Sequence, residues 1–438
     1  MYAQASQRTY RCGLPWRPVL LLVNFALLTI DPGVAQNMPR VRQTISDLTA
    51  PAMHGRGYVQ QGEHKAAAYI RQRFEMLGLQ PFTPNYQQPF SLTVNTFPGR
   101  MALRAGSKML RPGKDFIAEP NSGGGKAKGA VLYLDTLIFT AETAGTRFLR
   151  QELRHRIVVL RQRDAERIRT LPDSFAQHLD EAAARITLVS KLTASLSEQQ
   201  AHQPRLHVLA SSWPAATQYA STVVQAILRP NYPTQNVIGY LPGSVSPDSF
   251  IVITAHYDHL GHMGRRTYFP GANDNASGTA MLLELAAYYA QRQERPTMSI
   301  VFMAFGAEEA GLIGSHYFVD HPVFPLDRIR FLINLDLLGT GSDGITVVNG
   351  RQLAAPYHLL QQLNDSQHFV NSITARGRAA NSDHFYFSER GVPAFFIYTR
   401  GGIAAYHDVD DRADTLPLTA FSGVFKLLVE FVDNLLRD

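Results

Sequence analysis

Two histidines and a set of carboxylates stand at or just beyond the ends of apolar runs in this chain, residue types suited to a divalent cation. The run Phe250–Ala255 leads into His256-Tyr257-Asp258-His259. Residues i and i+2 share a face of an extended segment, so His256 and Asp258 point together. The carboxylate is then placed to hold one ring nitrogen while the other faces a metal. Asp274 lies in Gly271-Ala272-Asn273-Asp274-Asn275-Ala276-Ser277-Gly278, just before a helical run, where backbone N–H groups and the helix dipole favour an anion. The run Ser299–Phe305 ends at Gly306-Ala307-Glu308-Glu309, whose neighbouring side chains project differently, so one acid can bind a metal while the other holds a proton. Phe331–Leu335 terminates in Asp336, an acid that needs a partner if buried. Pro393–Tyr398 leads through Arg400-Gly401-Gly402 to Tyr406-His407, with Asp411 four residues later.

Imidazole plus carboxylate ligands suit zinc, with cobalt or manganese as alternatives. Thiolate ligands and fold-building disulfides are excluded, because Cys12 is the one cysteine. Other catalytic templates fail. The chain has no H-E-x-x-H and no G-x-S-x-G. Gly339-Thr340-Gly341-Ser342-Asp343-Gly344 matches G-x-G-x-x-G, but a strand pattern, Ile345–Val348, follows where a dinucleotide site requires a helix.

These residues need a scaffold, and the 438-residue length suggests two domains. The apolar fraction of 45% against 18% charged suits a sizeable core rather than disorder. The net charge of +6 is too mild for a nucleic-acid protein. Eight arginines between positions 147 and 169 are interleaved with Glu152, Asp164 and Glu166, without an aromatic platform, which reads as a solvated face. Arg8, Arg11 and Arg17 precede an apolar run, Val19–Ile30, and small residues follow at 33 and 35. That pattern reads as a signal peptide over residues 1–35, cut after Ala35, and as an exported periplasmic or extracellular protein without stable membrane association. An uncleaved anchor is the alternative, although the run is short of the roughly 20 residues a span needs.

Apolar positions Ala67, Ile70, Phe74 and Leu77 share one helical face, and Gly78 suits the helix end. Beyond residue 230, buried-strand runs (Asn236–Leu241, Phe250–Ala255, Ser299–Phe305, Phe331–Leu335, Pro393–Tyr398) alternate with helical runs (Ser277–Arg292, Ala354–Asn364, Ser422–Arg437). This alternation predicts an α/β sheet covered on both faces, whose sites form at the carboxyl ends of strands. Residues 98–230 read as an inserted, mostly β domain with short strands at 129–135, 157–160, 186–190 and 206–209 and one helix over 215–228. Residues 36–97 and 231–438 then make the catalytic domain.

Taken in order, His256-Tyr257-Asp258, the Gly271–Gly278 loop, Phe305-Gly306-Ala307-Glu308-Glu309, Asn334-Leu335-Asp336 and Tyr406-His407 resemble the co-catalytic dizinc aminopeptidase family of bacterial leucyl aminopeptidase and aminopeptidase Y. Glutamate carboxypeptidase II, the transferrin receptor and glutaminyl cyclase are more distant relatives of that family. The resemblance implies a mixed central sheet of zinc exopeptidase type and two zinc ions per chain. His256 and Asp336 would bind one ion, Glu309 and His407 the second, and Asp274 would bridge them. Glu308 would be the general base acting on a metal-bridging water, Asp258 would orient His256, and Asp411 would support the shell. The expected activity is removal of amino-terminal residues from peptides. Asp383, His384, Arg400 and Tyr406 are candidate substrate contacts, and His259, His262 and His316 are read as lid or supporting groups. Ile403-Ala404-Ala405 replace a His and an acid that members often carry, which implies an apolar pocket wall. The alternatives are a glutaminyl-cyclase-like transferase, a carboxypeptidase using Arg400 or Arg378 as anion partner, and a non-enzymatic binding ectodomain.

Overall fold

The computed structural model describes Met1 and residues 36–437, so the leader expected over residues 1–35 lies outside the described residues apart from Met1. The central sheet is built from β1 (Gln87–Thr96), β2 (Ile227–Leu241), β3 (Ser246–His256), β4 (Met298–Phe305), β5 (Ile329–Leu335), β6 (Ile345–Val348) and β7 (Ala394–Thr399). Two short strands, Gln80–Pro81 and Ile373–Ala375, complete nine. Across the sheet the order is β2-β4-β3-β5-β7-β6, with β1 also paired to β2. β4, β3, β5 and β7 run parallel, β2 is antiparallel to its neighbours, and β6 is antiparallel to β7 but parallel to Ile373–Ala375. The sheet is therefore mixed.

Side-chain alternation makes this sheet a buried middle layer. On β3, Ile251, Ile253 and Ala255 enter one core while Phe250 and Val252 enter another. On β4, Ile300, Phe302 and Ala304 share the first core, and Val301, Met303 and Phe305 the second. A strand buried on both faces reads as a continuous apolar run, which is why these segments were legible. The first face is covered by α1 (Met38–Leu48), α2 (Gly62–Met76), α3 (Gly278–Ala290), α5 (Ala354–Gln367) and α7 (Phe421–Leu435), and the second by α4 (Ile313–Asp320) and α6 (His384–Glu389). Asn37 caps α1 by accepting from the Arg40 N–H at 3.0 Å. Arg40 then fastens α1 to α3 through the buried Glu284, with Nη2–Oε2 at 2.8 Å.

A second sheet of eight strands is drawn from residues 101–224. Its middle, Gly125–Tyr133, Arg156–Arg161, Ala184–Val189 and Arg205–Leu209, is parallel. Three helices accompany it, Glu142–Leu149, Gln162–Ile168 and Asp173–Asp180. The helix expected over 215–228 is absent. That stretch holds the strand Tyr219–Val224 and the first residues of β2. Thr222-Val223-Val224 is β-branched, and alternate residues Ala220, Thr222 and Val224 are buried, a period of two that favours a strand. The core of this sheet also takes in Leu260, Met263 and Phe269 from the segment after β3, and residues 36–438 form one compact unit. No helix among the described residues is long and apolar enough to cross a membrane.

Candidate metal centre

Strand register brings the first groups together. β3 lies between β4 and β5, with His256 opposite Phe305 and Thr254 opposite Asn334. Two residues past Thr254 and Asn334 stand His256 and Asp336, and His256 Nε2 lies 3.4 Å from Asp336 Oδ1. Glu308, just past the end of β4, approaches the same nitrogen at 3.9 Å. His256, Glu308 and Asp336 thus form one group of candidate ligand atoms within 4.8 Å of one another. Asp274 presents one oxygen to each histidine, Oδ1 to His256 Nε2 at 3.3 Å and Oδ2 to His407 Nε2 at 3.0 Å. His407 Nε2 also lies 3.1 Å from Glu309 Oε2.

His259 meets the glutamate pair directly. Its Nδ1 is 2.6 Å from the other oxygen of Glu309, and with Asp274 and Glu309 it forms a second group of candidate ligand atoms. His259 therefore fixes the Glu309 carboxylate so that Oε2 is left to face His407.

Asp258 supports more than the expected ring. Its Oδ1 is 3.7 Å from His256 Nδ1, which lies nearer the Asp258 carbonyl at 3.3 Å. Its carboxylate accepts instead from the backbone N–H of Glu308 at 3.1 Å and Glu309 at 3.4 Å, and from the Tyr58 hydroxyl at 3.0 Å. Asp258 thereby sets where the glutamate pair leaves β4.

The loop before α3 is fastened residue by residue. Asp411 accepts from the N–H groups of Asn273 at 2.8 Å and Asp274 at 3.0 Å. Asn273 Oδ1 accepts from the Gly339 N–H, Asn275 Nδ2 donates to the Leu335 carbonyl, and Ser277 Oγ accepts from the Leu338 N–H. Each link ties the loop to the end of β5. Gly271 adopts φ 63°, and a Cβ there would run into the His259 ring. The carboxylate of Asp274 contacts His256 and His407.

Arg56 was invisible to sequence reasoning. It is wholly buried, and its guanidinium donates to the carbonyls of Tyr257, Leu48, Pro270, Gly271 and Asp274 at 2.7–3.2 Å. Burial pulls its pKa down to about 10, with Asp274 and Asp411 holding it up. Ser382, within Asn381-Ser382-Asp383-His384, was also missed as an orienting group. It accepts from Asn334 Nδ2 at 2.8 Å and donates to Asp336 Oδ2 at 3.2 Å.

A cavity of about 430 Å³ opens onto these groups. Asp274, Glu308, Glu309, Asp336, His407 and Tyr406 line it, together with Leu337, Phe396, Tyr398, Asn381 and Arg376. Tyr406 stacks on His407 with ring centroids 3.9 Å apart. The other candidate substrate contacts do not line this cavity. Asp383 and His384 are fully buried without hydrogen-bond partners, and burial pushes Asp383 up to about 7 and His384 down to about 4. Arg400 donates to the Asp343 carbonyl and Ser372 Oγ, and Arg378 pairs with Glu389. Arg376 is the cation that reaches the cavity. Residues 403–405 do not line it, and its apolar wall comes from Leu337 and Phe396.

Charge at this centre is far out of balance. Burial raises Glu308 well above the usual carboxylate range, with His256 opposing and Asp383 and Asp336 adding to the rise. At Asp274 burial also disfavours ionisation, but the neighbouring His256 and His407 outweigh it and hold the carboxyl well below its usual value. Glu309 falls to about 2, since His259 and His407 outweigh burial and the repulsion of Asp274. His407 rises to about 11 against burial, chiefly through Glu309 and Asp274. Burial lifts Asp411 to about 6, against the two N–H groups it accepts from. His256 Nε2 and Asp336 Oδ1 are buried without a hydrogen-bond partner. Orphaned donor atoms facing one another among buried acids fit divalent cations, and the nitrogen and oxygen set fits zinc.

The sequence pattern of peptidase family M28 matches residues 236–432. Aminopeptidase YwaD of Bacillus subtilis (strain 168) is 30% identical over 212 residues, covering 47% of this chain and 45% of that protein. A probable zinc metalloprotease of Pyricularia oryzae is 39% identical over 113 residues, covering 25% of this chain and 22% of that protein. The chain thus spans less than half the length of these curated relatives. The solved structure of BSAP, a zinc aminopeptidase from Bacillus subtilis, matches with a TM-score of 0.67 at 21% identity, covering 92% of this chain and 96% of that one. That likeness bears on the fold.

Proposed function

The chain carries a peptidase family M28 domain over residues 236–432, and from that premise we propose that it is a zinc-dependent exopeptidase removing amino-terminal residues from peptides. One observation carries the reading. Asp274 offers separate oxygens to two histidines from different parts of the chain, at 3.3 and 3.0 Å, the arrangement of a carboxylate shared by two cations. In this reading His256 and Asp336 would hold one zinc and Glu309 and His407 the other, with Asp274 placed between the two pairs. When bound, the two ions supply Lewis acidity at the scissile carbonyl and lower the pKa of water. Relatives named as an aminopeptidase and a zinc metalloprotease support the class of activity.

The chain's own residues supply the rest. Glu308 takes the proton of the attacking water and returns it to the leaving amine. Asp258, through the N–H groups of Glu308 and Glu309, keeps base and ligand pointing apart. Leu337, Phe396 and Tyr398 receive the apolar part of the substrate. The proposal includes export, on the basic, apolar and small-residue order of residues 1–35. A carboxypeptidase is the second reading, favoured by the Arg376 guanidinium in the cavity, since Arg suits carboxylate recognition.

The test combines metal analysis with a panel of free, N-acetylated and C-amidated peptides, on the wild type and Glu308→Gln. Two zinc ions per chain, cleavage that requires a free amino terminus, and a variant that keeps metal but loses turnover are expected. Cleavage surviving exhaustive chelation overturns the metal reading. Cleavage of N-acetylated peptides that fails on C-amidated ones replaces the aminopeptidase by the carboxypeptidase.

A further inference from the structure

A cavity of about 1380 Å³ shares no lining residue with the candidate metal centre and lies between α1 and the second sheet. Its rim carries Arg42 of α1, Arg100 before the second sheet, Lys114 in a turn, and Arg265 and Arg266 in the hairpin loop after Met263. All five are exposed, and none has an ion pair or side-chain hydrogen bond among the described residues. Two further arginines on the rim are already matched, Arg111 by Asp115 and Arg412 by Asp414. The floor is different in kind. Ile45, Met101, Met263, Leu416 and Leu418 are buried and apolar.

Like charges gathered in a cleft repel one another and focus a positive field into it. Elsewhere on the second sheet, the eight arginines between positions 147 and 169 lie among Glu152, Asp164 and Glu166. Four of the five unmatched cations are arginines, whose planar fork suits carboxylates. The apolar floor adds a requirement that a simple anion does not meet. Concavity adds another, because α1 and the second sheet wall the floor and a flat bilayer surface would not reach it.

We propose that this cleft is a docking site for an anionic peptide segment, whose acidic side chains meet the arginine rim and whose apolar side chains cover the floor. The site stands apart from the catalytic reading and does not depend on it. One strand of chain joins the two: His407 faces the metal centre, while Val409 and Asp410 line the cleft.

The experiment measures binding of fluorescein-labelled, N-acetylated peptides to the full chain by fluorescence anisotropy, so that acetylation blocks removal of an amino-terminal residue. A peptide alternating Glu and Leu is expected to bind, with affinity that falls as salt rises, and the Lys and Leu counterpart is expected not to bind. Arg265→Glu with Arg266→Glu, and separately Arg42→Glu with Arg100→Glu, should each weaken binding by roughly tenfold or more. Arg147→Glu with Arg150→Glu, outside the cleft, should leave it unchanged. Unchanged thermal midpoints confirm that the reversals act on binding rather than folding. Equal binding by all variants, or no salt-sensitive binding of the Glu and Leu peptide, overturns the proposal. Binding to phosphatidylglycerol vesicles without binding to the peptide overturns it in favour of a membrane, and pyrophosphate binding as tightly as the peptide removes the role of the floor.

Discussion

Arg56 shows how one side chain can organise a site without touching its reacting atoms. Its donors hold the carbonyl of Tyr257 beside the His256 end of β3, and the carbonyls of Pro270, Gly271 and Asp274 in the loop that carries Asp274. Arg56→Met would leave buried carbonyls unpaired at about 1–3 kcal/mol each. The expected loss is at least about 3 kcal/mol by urea denaturation, together with weaker metal binding. A variant as stable as the wild type would show that water replaces the guanidinium. Arg376 is the opposite kind of residue, exposed and without a side-chain hydrogen bond or ion pair among the described residues. If it meets a substrate carboxylate, Arg376→Ala should raise KM about tenfold for short peptides with a free carboxyl end and leave amidated peptides unchanged, since a charged hydrogen bond contributes about 1.5–3 kcal/mol. Equal effects on both substrates would remove that role. His256, Glu308, Glu309 and Asp336 sit where apolar runs stop, Asp274 in the loop before a helical run and His407 beyond the last strand, and the structure brings them within a few ångströms. Arg56, Tyr58 and Ser382 were not legible in the sequence, because their partners are backbone groups or side chains remote in sequence.

Elements differ in legibility for a related reason. The parallel strands β3, β4 and β5 are unbroken apolar runs, so both their type and their ends could be read. Short helices such as α6, at six residues, span too few turns to display a period. The misread strand Tyr219–Val224 belongs to a sheet whose edges are held by polar networks as much as by apolar patterning. Glu119 is one such fastener. It is 6% exposed, accepts from Thr187 Oγ1 at 2.8 Å and pairs with Arg185, joining the strand ends beside Phe116–Ala118 and Ala184–Val189. Burial disfavours its charge, but Arg185 and His207 outweigh that and hold the carboxyl below its usual 4.5. A depressed folded pKa contributes stability above the unfolded value and loses it as pH falls. Glu119→Gln should therefore cost about 2 kcal/mol near neutral pH, as one partner of a mostly buried pair is removed. The difference from the wild type should shrink as pH drops below 4.5. Parallel urea midpoints across that range would refute the assignment.

On the scale of the whole molecule, the second sheet is not an appendage to the metal centre. The segment after its strand Ala184–Val189 reaches the loop that carries His407, and the contact is reciprocal. Ala194 donates its N–H to the His407 carbonyl at 2.9 Å, and the Ala194 carbonyl lies 3.0 Å from His407 Nδ1. Lys191 adds a bond to the Ala404 carbonyl at 3.0 Å and faces Asp408 at 3.6 Å. Ala194 is itself buried in the core of the second sheet, so that core fixes the ring whose other nitrogen faces Asp274 and Glu309. A histidine ligand oriented through its second nitrogen depends on that partner, and losing such a partner typically weakens metal binding about 10–100-fold. Ala194→Pro deletes the N–H while keeping the carbonyl, loosening the histidine loop from the second sheet without removing any ligand. If two ions bind as proposed, then under competition with a chelator the variant should release one metal at least about tenfold more readily than the wild type, while the ion assigned to His256 and Asp336 stays bound. Loss of both ions together would mean that the two sites form only as a unit. Retention of both with unchanged affinity would mean that the catalytic fold holds His407 without help from the second sheet.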